Sequence, residues 1–280
     1  MDVIAAIVLG AVQGLTEFLP VSSSGHLVLL QKIFGVSEPT MLFDIMLHIG
    51  TLAAVFAVLW KDVLSILKKL FQPLTAYLII ATVPAVIFAL VLKKHIEAAF
   101  ESGRFLGFAF LATAALLASA ELLSRRARRA SDAAGNADDA GGKTANTMNW
   151  LDALVIGFLQ AVAVIPGVSR SGATLSGALF RRLDRDFAAR FSFILSIPAI
   201  LGALVLELAK FAKGGGAAAG GGIGMAAIVA GTASAAVTGF FAVRLMLKIV
   251  REKSLWGFAI YTGVLGLLVL VDQFVTHLVL

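Results

Sequence analysis

Apolar residues run through six stretches of the chain, each near the roughly 20 helical residues that cross a hydrocarbon core about 30 Å thick. The pattern predicts six transmembrane helices, at residues 41–60, 73–92, 105–123, 187–208, 223–246 and 255–278. Composition agrees, since 59% of the residues are hydrophobic and 14% are charged, whereas a soluble domain carries roughly 25% charged residues. We therefore predict an all-α integral membrane protein.

Two further apolar regions are interrupted near their centres by a short polar segment. Residues 2–34 are interrupted at 20–26, and residues 150–180 are interrupted at 166–172. The arm after each interruption has roughly 8–10 residues, so as a helix it reaches about 15 Å, or half of a bilayer. Polar backbone at that depth is tolerated only inside protein or beside water. Each region is therefore predicted to be a re-entrant hairpin whose polar tip lies near the middle of the membrane.

The two interrupted regions are similar to each other when the sequence is shifted by 147 positions. The identical pairs are Gly10/Gly157, Gln13/Gln160, Val21/Val168, Ser22/Ser169, Ser24/Ser171 and Gly25/Gly172. This repeat predicts two halves, residues 1–123 and 149–280, each made of one hairpin and three spans. Because three is odd, the second half must enter the membrane from the opposite side. We therefore predict an inverted-topology repeat whose two tips meet at the midplane.

Basic residues predict which side of the membrane each loop faces. Most of them fall on one side of the predicted topology, at 61–69, 125–129, 143, 181–185 and 248–253. An excess of Lys and Arg marks the cytoplasmic side, which would leave both termini outside. Residues 124–148 are polar and rich in Gly and Ala, which predicts a flexible cytoplasmic linker between the halves. Residues 213–222 predict a flexible external loop for the same reason.

Bulk properties exclude several classes of function. The chain contains no cysteine, which excludes disulfides, thiolate metal sites and cysteine nucleophiles. The net charge of +6 fits basic loops on an anionic leaflet, and nucleic acid is not expected as a partner. The first residues lack the basic segment of a cleavable signal peptide, so none is expected.

Polar residues at the two tips are the candidates for chemistry. The first tip carries Gln13, Glu17, Ser22, Ser23, Ser24 and His26, and the second carries Gln160, Ser169, Arg170, Ser171 and Thr174. Ionisable side chains in apolar segments are costly and are usually functional. Gln13 and Glu17 are four residues apart, so they share one face of a helix.

These residues together predict a phosphate site. A half-helix that begins in mid-membrane presents unpaired backbone N–H groups and the positive end of its dipole. The Arg170 guanidinium matches phosphate oxygens, and more donors come from the hydroxyls of Ser22, Ser24, Ser169, Ser171 and Thr174. Glu17 could hold a hard divalent cation, and His26 could act as a general base or acid. Ser23 aligns with Arg170 in the repeat, which makes it the favoured nucleophile, activated by His26 or Glu17.

Structural interpretations remain open for the same residues. One alternative is that Ser22 and Ser24 only cap the helices that follow the interruption. Glu17 and Arg170 could form a purely structural ion pair, and His26 could be a packed side chain. Asp44 and His48 lie four residues apart on the first span and either face the same cavity or serve packing. The spacing Gly10-x-x-x-Gly14 favours close packing within the hairpin, or else a dimer.

Two segments carry a resemblance to a known family. Residues 13–26 read Gln-Gly-Leu-Thr-Glu-Phe-Leu-Pro-Val-Ser-Ser-Ser-Gly-His, and residues 166–174 read Pro-Gly-Val-Ser-Arg-Ser-Gly-Ala-Thr. The chain resembles the undecaprenyl-diphosphate phosphatases linked to bacitracin resistance, which have similar motifs in the same order. The resemblance extends over nearly the whole chain apart from residues 124–148 and the glycine-rich loop.

The resemblance implies an enzyme that cleaves a polyprenyl diphosphate, such as undecaprenyl diphosphate, to the monophosphate and inorganic phosphate. This reaction recycles the lipid carrier for peptidoglycan and other wall polymers, which connects it with cell shape and antibiotic resistance. The resemblance also implies the bacterial cytoplasmic (inner) membrane, a site open to its outer face, a divalent cation (Mg²⁺ or Ca²⁺) and a homodimer.

By motif, the resemblance implies a catalytic set of Glu17, Ser23, His26 and Arg170. Many members of that family carry Glu at position 13, where this chain has Gln. The substitution leaves Gln13 as a neutral candidate ligand beside Glu17 and lowers the charge available to a cation.

Two other functions use the same features. A polyprenyl-phosphate flippase or an anion transporter would also use an inverted repeat, an arginine and half-helix dipoles. A lipid-binding module would need neither His26 nor Glu17. The serines and His26 favour the hydrolase, because a nucleophile and a base are not needed for transport. Attack by Ser23 and attack by a water molecule that His26 activates remain open alternatives.

Overall fold

The computed structural model describes residues 1–35, 41–92, 94–96, 105–133, 142–213 and 223–278. Within these ranges the helices are α1 (Val3–Phe18), α2 (Ser23–Ile33), α3 (Met41–Val58), α4 (Trp60–Lys68), α5 (Pro73–Val91), α6 (Leu106–Ala133), α7 (Trp150–Val162), α8 (Arg170–Phe180), α9 (Arg185–Lys213), α10 (Met225–Glu252) and α11 (Trp256–Val271). A π-helical turn, Asp272–Thr276, continues α11.

Five of these helices are long and apolar enough to cross a membrane. The crossing segments are Pro73–Val91, Leu106–Ala127, Arg185–Leu206, Met225–Glu252 and Trp256–Thr276. A sixth crossing is made if Leu42–Val58 of α3 is taken with α4, although the two are bent by 82° at their junction. The prediction of an all-α, multi-pass membrane protein is therefore confirmed.

The segment 124–148 differs from the predicted flexible linker. Helix α6 continues through its first part to Ala133, because a sequence of Arg, Ala and Ser with no Gly or Pro sustains a helix. Near its other end, Lys143 exchanges backbone hydrogen bonds with Arg182 and Asp184 at 2.7 and 2.8 Å. The Lys143 ammonium also binds the buried Asp152 carboxylate at 2.8 Å. Residues 134–141 lie outside the described residues.

The second predicted loop falls mostly outside the described part of the chain. Helix α9 runs to Lys213, and the description resumes at Ile223, just before α10. Residues 214–222, which carry the glycine-rich sequence, are not among the described residues.

Glycine lets the two short apolar helices approach neighbouring spans closely. A Cβ atom on Gly10 of α1 would lie 2.2 Å from the carbonyl oxygen of Gly231 in α10. A Cβ on Gly157 of α7 would lie 2.7 Å from the carbonyl oxygen of Ala81 in α5. Gly14 also packs on α10, so the expectation that Gly10-x-x-x-Gly14 packs within its own hairpin is wrong. The sequence shows that a close contact is made but not with which helix.

Helix α1 ends about halfway along the span that it packs against. A Cβ on Gly239, near the middle of α10, would lie 3.2 Å from the ring of Phe18, the last residue of α1. One buried apolar cluster, which includes Leu9, Leu27 and Leu47, lies on one side of the break after α1. The much larger cluster that includes Phe18 lies on the other side. The interruption is therefore held deep within the apolar part of the molecule.

Buried ionic contacts gather several helix ends at one end of the molecule. Arg185, at the start of α9, binds the Glu121 carboxylate of α6 at 3.0 Å. The same guanidinium donates to the carbonyl oxygens of Val250 and Lys253, at 2.7 and 3.1 Å, where α10 ends. Glu121 also accepts a hydrogen bond from the backbone N–H of Leu255. Satisfied hydrogen bonds of this kind make a buried charge tolerable.

The close packing of α1 on α10 predicts the effect of one added methyl group. We expect Gly10→Ala to destabilise the protein by about 1–3 kcal/mol, because the new Cβ would force the two backbones apart. The matched control is Gly202→Ala, since no atom of the described residues lies within 4 Å of a Cβ at that helical position. Thermal unfolding of both purified variants in detergent tests this. Equal melting temperatures would contradict the described packing.

Candidate active site

The Glu17 carboxylate is the centre of a hydrogen-bonded cluster at the end of α1. Its Oε1 accepts from the Arg170 guanidinium. Its Oε2 accepts from Ser23 Oγ at 2.7 Å and from Gln13 Nε2 at 3.0 Å. The Glu17 side chain is 6% exposed and that of Arg170 is 16% exposed. Charge-assisted bonds with this little access to water are stronger than those at a surface.

Local helix geometry explains how these groups come together. Gln13 and Glu17 are one turn apart on α1 and therefore share a face. Ser23 is the first residue of α2, and Arg170 is the first residue of α8. Both arms that follow an interruption thus begin at the same carboxylate. The two residues that align in the sequence repeat meet there, one as a hydroxyl and one as a cation.

Ser22 and Ser169 cap the helices that follow the two interruptions. Ser22 Oγ accepts from the N–H of Gly25 at 3.3 Å, and Ser169 Oγ accepts from the N–H of Gly172 at 3.1 Å. The capping interpretation therefore holds for Ser22, and Ser169 makes the equivalent contact in the second hairpin. Each hydroxyl keeps its own proton for a further acceptor. Ser22 also has a φ of 72°, a left-handed conformation that costs roughly 1–3 kcal/mol and is concentrated at functional sites.

Ser24 and Ser171, each two residues after a capping serine, bind the backbone of the opposite interruption. Ser24 Oγ accepts from the N–H of Gly167 at 3.3 Å. Ser171 Oγ donates to the carbonyl oxygen of Leu19 at 3.0 Å. These two contacts join the interruptions directly, so neither serine is a simple cap. Ser24 also satisfies the buried N–H of Gly167, and Ser171 adds a second donor to the Leu19 carbonyl oxygen, which accepts from the N–H of Val21 as well.

Both ring nitrogens of His26 have partners away from Ser23. His26 Nδ1 lies 2.7 Å from the carbonyl oxygen of Ser22, which can only accept, so Nδ1 carries a proton. His26 Nε2 lies 2.7 Å from the Tyr261 hydroxyl. The His26 and Tyr261 rings are also stacked at 5.7 Å. Within the described residues, the base in contact with Ser23 is Glu17.

Thr174 and Gln160 point away from Glu17. Thr174 Oγ1 donates within its own helix and contacts Ser192 Oγ of α9, fully buried. Gln160 Nε2 donates to the carbonyl oxygen of Ala81 at 3.2 Å, so it connects α7 with α5. Both residues therefore brace the second hairpin from outside. Sequence reasoning missed Ser192 and Tyr261 as partners, because an isolated Ser or Tyr within an apolar span gives no local signal.

Asp44 and His48 of α3 contact neighbouring polar groups. Gln31 of α2 donates to Asp44 Oδ1 at 3.2 Å, and His48 Nδ1 lies 2.8 Å from the Asp44 carbonyl oxygen. The Gln31 contact joins α2 to α3, which is a packing role for Asp44. That the two side chains face the cavity stays a prediction.

Two interrupted helix pairs meet beside the membrane-crossing helices. A carboxylate, an arginine and a serine lie where the pairs meet. These features define a multi-pass membrane protein with a buried polar site. Sequence comparison gives its family. The model of the family described as bacitracin resistance protein BacA matches residues 6–268, and the chain belongs to this family.

Similar proteins extend over nearly the whole chain. Undecaprenyl-diphosphatase of Carboxydothermus hydrogenoformans is 43% identical over 273 residues, 98% of each chain. Undecaprenyl-diphosphatase 3 of Bacillus cereus is 39% identical over 274 residues, again 98% of each chain. Undecaprenyl-diphosphatase of Methanosphaera stadtmanae is 35% identical over 293 residues, which cover 97% of this chain and 98% of the relative.

The contact between the two hairpins can be tested with a pair of serine substitutions in α8. We expect Ser171→Ala to destabilise the protein by about 1 kcal/mol, because the Leu19 carbonyl oxygen loses one of its two hydrogen-bond donors, the one that joins the hairpins. Ser176 is the matched control, since its buried hydroxyl has no hydrogen-bond partner within the described residues. Ser176→Ala should be neutral or stabilising in thermal unfolding. The opposite order of the two variants would show that Ser171 does not join the hairpins.

Proposed function

We propose that the protein hydrolyses undecaprenyl diphosphate to undecaprenyl phosphate and inorganic phosphate, and so recycles the lipid carrier of wall-polymer synthesis. The observation that carries this function is the joint binding of Ser23 and Arg170 to the buried Glu17 carboxylate. One cluster thereby contains a nucleophile, Ser23, its base, Glu17, and a guanidinium that can bind phosphate, Arg170. The diphosphatase names of relatives that match almost end to end support the same reaction. They do not favour a transporter or a lipid-binding module.

In this proposal, the substrate's diphosphate binds where α2 and α8 begin. Arg170 has five N–H donors, and binding Glu17 leaves some of them for phosphate oxygens. The N-terminal ends of α2 and α8 add the positive ends of their dipoles. The hydroxyl of Ser22 can also donate to phosphate. Ser169 Oγ donates to Ser171 Oγ at 3.2 Å, since the Ser171 proton is bound to the Leu19 carbonyl oxygen, so Ser169 is proposed to reach phosphate only after that contact breaks. Thr174 is proposed to act indirectly, because its hydroxyl is engaged with Ser192.

Ser23 is the proposed nucleophile. Its oxygen attacks the terminal phosphorus, its proton moves to Glu17 Oε2, and the bridging P–O bond breaks to release undecaprenyl phosphate. Water then attacks the phosphoserine, the Ser23 O–P bond breaks, and inorganic phosphate leaves. The 2.7 Å contact between Ser23 Oγ and Glu17 favours this route. Direct attack by water activated by His26 is less favoured, because the His26 nitrogens contact Ser22 and Tyr261.

A divalent cation, Mg²⁺ or Ca²⁺, fits the donor set beside Ser23. Glu17 offers carboxylate oxygens, and the Oε1 atom of Gln13 is buried without a hydrogen-bond partner within the described residues. Hard cations prefer such oxygen ligands and complete their coordination with phosphate and water. Among the described residues, no group of three or more Asp, Glu or His side chains is placed to hold a metal ion, so phosphate and water would have to supply most of the ligands. When bound, the cation would neutralise negative charge on the phosphates.

The inverted repeat is part of the proposal. Several corresponding residues of the two hairpins make similar contacts, although Gln13 and Gln160 do not, and this supports two halves of one hairpin and three spans each. Gly10 and Gly157 are the sites of close helix packing, and Ser24 and Ser171 bind the opposite interruption. The end that carries Arg185 and the other basic residues would be cytoplasmic. The site would then open to the outer face of a bacterial inner membrane. The homodimer stays a prediction.

Phosphate release from a long-chain polyprenyl diphosphate tests the hydrolase. We expect Arg170→Ala and Glu17→Ala each to lower the rate by about 10³-fold or more, because charge stabilisation and the base are lost. Arg244→Ala is the matched control, since Arg244 contacts Phe240 on an exposed face of α10 and should leave the rate unchanged. All variants must elute as folded protein. A rate like that of the wild type in either site variant would refute the mechanism.

The role of Gln13 can be tested through the dependence of the rate on Mg²⁺. Gln13→Glu adds a second negative charge next to Glu17, so we expect the half-saturating Mg²⁺ concentration to fall by about tenfold. Gln13→Leu should raise it, because an oxygen ligand is removed. Identical Mg²⁺ dependence in both variants would place the cation elsewhere and leave the roles of Ser23 and Arg170 untouched.

A further inference from the structure

Helix α4 lies across the end of a span instead of continuing it. The chain leaves α3 at Val58 and turns by 82° into α4. A helix nearly perpendicular to a membrane-crossing helix runs along the membrane plane. The next span, α5, begins at Pro73, only a few residues after α4 ends. Helix α4 therefore connects two spans on one side of the membrane, at the level of the lipid headgroups.

Three different faces run along α4. Val63 and Ile66 are buried against the rest of the protein. Trp60, Leu64 and Leu67 follow a spacing of four and three residues and are 54%, 38% and 59% exposed. The spacing puts these three on one stripe of the helix. The turn after α4 extends the exposed apolar surface with Leu70 and Phe71.

The third face of α4 is basic. Lys61 and Lys68 lie on it, and Lys69 follows at the helix end, all of them exposed. The Lys61 ammonium lies 5.9 Å from the centre of the Trp60 ring. Within the described residues, no carboxylate forms an ion pair with any of the three lysines. Three exposed cations next to an exposed apolar stripe match the boundary between anionic headgroups and acyl chains.

Ion pairs hold α4 in this orientation. Asp62 of α4 binds Arg190 of α9 at 3.0 Å, and Arg190 also binds Asp186 at 2.9 Å. Asp186 in turn binds Arg251 at the end of α10 at 2.6 Å. The helix is thus anchored to two spans through its only acidic residue. Its three lysines remain exposed on the outer surface of the protein.

We propose that α4 is an interfacial helix that binds anionic phospholipid. Trp60, Leu64 and Leu67 insert among the acyl chains, and Lys61, Lys68 and Lys69 contact the headgroup phosphates. Helix α3, which precedes α4 directly in the chain, also carries an exposed apolar side chain, Phe56, at 38%, which favours lipid over a protein partner. Each lysine near an anionic surface contributes about a fivefold preference for anionic lipid. This inference goes beyond hydrolysis and depends only on the membrane-crossing fold.

Tryptophan fluorescence can measure this contact directly, because the chain has three tryptophans. The variant W150F/W256F leaves Trp60 as the single emitter. It is placed in lipid nanodiscs that contain either brominated phosphatidylglycerol or brominated phosphatidylcholine at equal mole fraction. We expect phosphatidylglycerol to quench Trp60 several-fold more strongly than phosphatidylcholine does, since the lysines enrich the anionic lipid next to α4.

The lysine dependence completes the test. Adding K68Q/K69Q to the single-tryptophan variant should remove most of the excess quenching by phosphatidylglycerol, because only Lys61 of the three lysines remains. The control pair K32Q/K94Q removes two exposed lysines far from α4 in sequence and should change nothing. Equal quenching by both lipids before any lysine is changed would overturn the proposal. So would a Trp60 that neither lipid quenches, which would indicate water, a second copy or a partner protein over α4.

Discussion

A carboxylate held away from water must be paired, and the pairing of Glu17 with Arg170 organises the rest of this protein. Burial makes a lone charge costly, so the two side chains must be brought together wherever the chain carries them. They belong to different hairpins, 153 residues apart in sequence. The pairing therefore joins the two interruptions, and Ser23 binds the same carboxylate. One electrostatic constraint thus connects the fold with the proposed reaction.

Interruption of a helix supplies the remaining features of the site. Where α2 and α8 begin, their first backbone N–H groups lack partners within the helix, which favours an anion. Ser22 and Ser169 satisfy one N–H group in each case. Close glycine contacts of α1 with α10 and of α7 with α5 hold the two interruptions deep in the apolar part of the molecule. The serine caps and glycine contacts that stabilise the interruptions therefore also form the proposed phosphate site.

Periodicity and spacing predicted much of this arrangement. Apolar length identified five helices that are long enough to cross a membrane, and the polar interruptions identified Glu17, Ser23 and Arg170 as one cluster. The extent of α6 was missed, because Gly and Ala content between 134 and 142 outweighed the helix-forming residues before it. The contact of His26 with Tyr261 joins residues 235 positions apart, and only tertiary packing determines such a pair. For the same reason, Gly10 indicated close packing without indicating α10.

The most direct measurement of the central claim is a structure of the protein with a non-hydrolysable polyprenyl methylenediphosphonate bound. The account predicts the terminal phosphorus about 3.5 Å from Ser23 Oγ, the separation that attack requires, with its oxygens on the Arg170 guanidinium. A diphosphonate bound at the membrane surface, with Glu17, Ser23 and Arg170 still joined only to one another, would contradict it.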